Sequence, residues 1–166
     1  MYGALSVLLA GVALLGCASR VNTFGFAEDE LEDRAIERAY APYREPGTAV
    51  VEGRVLARGT DGSTIPAAWS VVRITPATKW ARAYARRAQE SGDLGDGMLS
   101  EDRAVVWMTR TDEAGRFRFT SLPAGEYLVL CLARWRAASG DRKQTLVSRQ
   151  FSVAEGEVRV VPMSPG

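Results

Sequence analysis

Three groups of side chains in this sequence can do chemistry, and their spacing decides which kind. Trp69, Trp107 and Trp135 can form a sugar-stacking platform if they share an exposed face; core packing is the competing role. Lys79, Arg82 and Arg86 recur at helical spacing and make one basic stripe. That stripe suits lipid headgroups or lipopolysaccharide phosphates, or is simply a solvated face. Asp93, Asp96, Glu101, Asp102 and Asp112 offer the oxygens that calcium prefers, but not at the D-x-D-x-D-G spacing of a calcium loop, so they are expected to serve turns. No metal site is expected.

What is missing narrows the chemistry further. The 166 residues contain no histidine, which removes Ser-His-Asp and Cys-His catalysis and every imidazole metal site. No other catalytic constellation is visible, so the expectation is a protein that is not an enzyme and needs no cofactor. Twenty-one Lys and Arg against twenty Asp and Glu leave a net charge of +1, too small an excess to suggest a nucleic-acid partner. Of the two cysteines, Cys131 lies in the most apolar strand and reads as a buried inert thiol.

Cys17 ends the apolar run Leu5–Gly16, which is of signal-peptide length and too short to span a bilayer. Leu14-Leu15-Gly16-Cys17 resembles the lipobox of bacterial lipoproteins. The resemblance implies a signal peptide at 1–16, acyl chains on Cys17 and a stable membrane anchor, since each buried CH₂ contributes about 0.8 kcal/mol. Ala18 in the next position implies the outer membrane rather than the inner.

The elements that follow must hold the candidate groups in place. Residues 17–47 form a tether. Leu31, Ala35, Ala39 and Tyr43 recur every fourth residue, so a helix docked on the domain is the alternative to a charged spacer, which is the favoured reading. From Ala49 the period becomes two, and short strands alternate with turn clusters. Seven strands are expected, including 68–75, 104–111, 127–133, 147–153 and 158–163. Asp112 should accept backbone hydrogen bonds in the loop before Arg116, with Gly115 at positive φ. Tyr127 can bond back to the preceding Pro-Ala-Gly turn as a tyrosine corner does.

Thr111-Asp112-Glu113-Ala114-Gly115-Arg116-Phe117, followed by Leu122-Pro123-Ala124-Gly125-Glu126-Tyr127, resembles the carboxypeptidase regulatory-like domain over 48–163. The resemblance implies a seven-stranded antiparallel sandwich of the Ig or transthyretin-like kind, grouped with carbohydrate-binding-like folds. It says almost nothing of function. Between the second and third strands, residues 77–103 form an insertion. Thr78 can cap a helix whose apolar stripe, Trp80, Ala81, Tyr84, Ala85 and Ala88, is expected to lie on Leu128, Leu130 and Leu132. The expected role is an envelope lipoprotein that binds a partner protein, with glycan binding as the alternative.

Overall fold

The computed structural model describes residues 28–59, 61–94, 104–137 and 139–164. The signal segment, Cys17, Ala18, Asp96, Glu101 and Asp102 lie outside the described residues.

Two four-stranded sheets face one another. The first contains β1 (Ala49–Arg58), β2 (Thr64–Pro66), β5 (Arg116–Leu122) and β8 (Val158–Met163). The second runs β4 (Trp107–Arg110), β3 (Val71–Pro76), β6 (Gly125–Arg136), β7 (Arg142–Val153). The expected mainly β sandwich is what forms. It has eight strands among the described residues, because the chain after the Gly59–Ser63 turn pairs briefly as β2. It also has one parallel ladder, β1 with β8. Alternation builds the core: Val51 and Val55 of the first sheet and Phe117 and Phe119 beside them meet Val72, Ile74, Val129 and Cys131 of the second.

β6 is buried on both faces from Tyr127 to Ala133, as its sequence requires. Its outer Leu128 and Leu130, though not Leu132, pack with α2 (Lys79–Ser91), which Thr78 caps by accepting from the Ala81 N–H at 3.2 Å. Ala81, Tyr84 and Ala85 pack on Leu128 and Leu130. Trp80 departs from the expectation: it turns away from the leucines toward α1 (Glu28–Tyr40). There it joins Ile36, Tyr40 and Ala104, and its indole Nε1 donates to Glu32 Oε1 at 3.0 Å. The favoured spacer reading of 28–43 is therefore corrected to the docked helix. The buried positions are Ile36 and Tyr40 rather than Leu31 and Ala35, because the partners Trp80 and Ala104 select that side. Tyr40 also shares a 2.9 Å hydrogen bond with Thr78, which ties α1 to the cap of α2. A 3₁₀ turn, Ala41–Tyr43, then brings Tyr43 edge-on to Tyr127 at 5.5 Å.

Candidate functional site

The three tryptophans do not assemble into one platform. Trp107 packs edge-on against Tyr127 at 5.9 Å and belongs to the core margin, and Trp135 sits half-buried in the β6–β7 hairpin. Trp69 is different. It is 62% exposed in the turn before β3, not on a strand as its sequence pattern suggests, and its backbone has φ +56°. A bulky residue there costs about 1–2 kcal/mol. Strain held at an exposed aromatic points to a use for that placement.

A buried polar knot fixes the turn. Ser70 and Thr111 are both nearly inaccessible. The Thr111 hydroxyl accepts from the Ser70 N–H at 2.9 Å and donates to Ala67 O at 2.6 Å, while Ser70 O accepts from the Thr111 N–H at 3.0 Å. Ser70 Oγ in turn accepts from the Arg134 N–H at 3.2 Å, so β6 is tied to the same point. Every polar atom of this knot is matched, which makes the turn rigid.

Trp69 rims an open groove of about 740 Å³ that extends over the outer face of β1, β5 and β8, with Arg54, Arg110, Arg116, Val160 and Pro162 around it. Arg110 reaches the Trp69 carbonyl at 3.4 Å and Arg54 Nε donates to Ala114 O at 2.8 Å. The groove's acids are engaged. Glu52 pairs with Arg118 at 3.3 Å, and Asp112 Oδ1 accepts from the Ala114 and Arg116 N–H groups at 2.9 and 2.7 Å. That is the turn role expected of Asp112, with Gly115 at φ +75°. Asp93 likewise accepts from the Leu94 N–H at 2.7 Å. Among the described residues no group of three or more acids or cysteines could hold a metal ion. The groove can stack, hydrogen-bond and attract negative charge, and its side chains include no nucleophile set beside a base.

The remaining candidates are accounted for locally. Lys79 lies over the Trp80 ring at 4.4 Å and Arg82 approaches Glu126 at 3.8 Å, while Arg86 is exposed on α2. Burial pushes the Cys131 thiol up to about 12, and the Tyr127 hydroxyl donates to Pro123 O at 2.7 Å. The sequence reading missed Arg54, Arg110 and Arg116. Their signal was only the outward phase of otherwise ordinary strands.

No family model matches the sequence, and no curated protein does. Among solved structures, one from Pseudomonas aeruginosa described as a "putative carbohydrate binding protein" is 24% identical, with a TM-score of 0.65 over 78% of this chain and 96% of that one. The major pilin subunit of Bacillus cereus is 12% identical, with a TM-score of 0.42 over 72% of this chain and 30% of its own. The chain thus shares the β-sandwich fold of the Pseudomonas protein.

Proposed function

We propose that this protein is a non-catalytic binding module of the bacterial cell envelope, anchored by acyl chains on Cys17, with a glycan as the ligand of the Trp69 groove. The observation that carries the reading is the exposed Trp69 ring, held at φ +56° by a saturated buried knot. A flat aromatic face of this kind suits the apolar face of a pyranose. The name given to the Pseudomonas protein of the same fold agrees with it. The Asp112–Gly115 loop and the Tyr127 corner support placing 48–163 with the carboxypeptidase regulatory-like domains.

Glycan-array binding of the wild type and of Trp69→Ala tests the ligand. Hits should vanish in the variant while its melting temperature stays near wild type, since the ring is exposed and alanine keeps the same Cβ at positive φ. Equal binding by both proteins removes the reading. Cys17→Ser tests the anchor: the folded domain should leave the membrane fraction, and persistence there after a high-salt wash argues against lipidation. A partner protein is the second reading. It is favoured by Val158 and Val160, which lie 61% and 67% exposed along β8, and is tested by crosslinking from solubilised membranes.

A further inference from the structure

We infer that the ligand is a carboxylate-bearing polysaccharide, gripped by two arginine pairs at the Trp69 end of the sandwich; this rests on the Trp69 reading above. In the first sheet Arg54 and Arg116 are directly opposed on β1 and β5. In the second, Arg136 and Arg142 are directly opposed on β6 and β7. Like charges in such positions destabilise a ladder. The same β1–β5 ladder places Glu52 opposite Arg118 and pairs them at 3.3 Å, so the opposed arginines stand out against a neighbouring rung that is complementary.

Both pairs lie at one end of the molecule. Ser70 links the Arg134 N–H to Thr111, and the Asp112 N–H bonds to Arg116 O at 2.9 Å, with Trp69 beside Ser70. A second groove of about 500 Å³ runs between Arg134, Trp135, Arg136, Arg142 and Lys143. None of these cations, nor Arg54, Arg110 or Arg116, has an ion-pair partner among the described residues. The one acid between Arg134 and Lys143, Asp141, accepts from the Ser139 hydroxyl at 2.8 Å. Arg136 gives one donor to Gly140 O at 3.4 Å, and a guanidinium has five. The free donors form a planar fork that matches a carboxylate. In a chain of net charge +1, this concentration is a matter of placement.

A bilayer fits the end less well. The turn at 137–141 carries Asp141 and no bulky apolar residue to insert. Tyr43, which follows α1, packs on Tyr127 near the other end of β6, about 30 Å from Arg136 at roughly 3.3 Å per residue.

The test uses the full-length Cys17→Ser chain, which lacks the acyl anchor, without detergent, with polygalacturonate, a neutral linear glucan, single-stranded DNA and phosphatidylglycerol vesicles. Polygalacturonate should bind tightest, and Arg136→Ser/Arg142→Ser and Arg54→Ser/Arg116→Ser should each weaken it tenfold or more. Raising salt should do likewise. Arg142→Glu turns a like pair into a complementary one, so it should lower affinity while the melting temperature holds or rises, which a merely structural arginine would not do. The inference falls if polygalacturonate does not bind at low salt, if both double variants stay within twofold of wild type, or if DNA or vesicles bind more tightly. Loss in the arginine variants with none in Trp69→Ala upholds the charge inference and removes the Trp69 reading. A glucan that needs Trp69 and binds as tightly as polygalacturonate does the reverse.

Discussion

Tyr84 carries the cover over the second sheet, and replacing it measures what that cover contributes. The ring is 4% exposed and packs on Leu128 and Leu130, while its hydroxyl donates to Leu94 O at 2.7 Å and receives Arg73 Nη1 at 3.4 Å. Tyr84→Ala removes the ring and leaves a void over two leucines, a change that costs about 3–5 kcal/mol. Tyr84→Phe keeps the ring and removes only the hydroxyl. It should cost about 1 kcal/mol, rising toward 2 because Arg73 Nε is already buried with no partner among the described residues. At this chain length each kcal/mol lowers the melting temperature by roughly 2–4 °C. The alanine variant should therefore melt about 6–20 °C lower and the phenylalanine variant about 2–8 °C lower, measured by calorimetry and checked by urea midpoints. An alanine variant within about 0.5 kcal/mol of wild type, the range of ordinary surface changes, would show that α2 does not hold the leucines from water.

Other perturbations test separate parts of the argument. Trp80→Ala should loosen α1 rather than uncover the sheet, costing about 1–2 kcal/mol and opening 28–43 to limited proteolysis, because the indole is held by Glu32 and the Ile36–Tyr40 side of α1. Gly115→Ala should cost more than the roughly 1–2 kcal/mol of a left-handed backbone, since a Cβ there would fall 2.5 Å from Val55 O; calorimetry reads it directly. Hydrogen bonds from the Thr48 side chain and N–H hold Glu155 below its ordinary value of 4.5. Its contribution is thus full above about pH 4.5 and is lost as pH falls through the lower folded value. Glu155→Gln should flatten the dependence of melting temperature on pH below 4.5, and an unchanged acid limb would contradict the assignment.

What the sequence made legible was local. The Asp112–Gly115 loop, the Thr78 cap and the Tyr127 corner each rest on residues within four positions of one another, so their chemistry is written in order along the chain. What it hid depended on distant partners. α1 offers apolar residues on more than one side, and Trp80 and Ala104 choose Ile36 and Tyr40. β7 begins at Arg142, five residues before the expected start. Its first part pairs only with the end of β6, where charged residues occupy both faces and no alternation signals a strand. Trp69 sits in phase with Val71 and so reads as a strand residue, and nothing in a sequence announces that a tryptophan will adopt positive φ.

The parallel ladder between β1 and β8 has a consequence for timing. The first strand of the domain, from Val50 to Val55, is bonded along one edge to the last, from Val158 to Met163. A chain emerging from its N-terminus cannot close that edge until more than a hundred later residues have followed. Until then β1 presents unpaired backbone groups, and contacts of such long sequence separation form slowly. That edge of the domain therefore stays open while the chain is being made and closes only on arrival of its final strand.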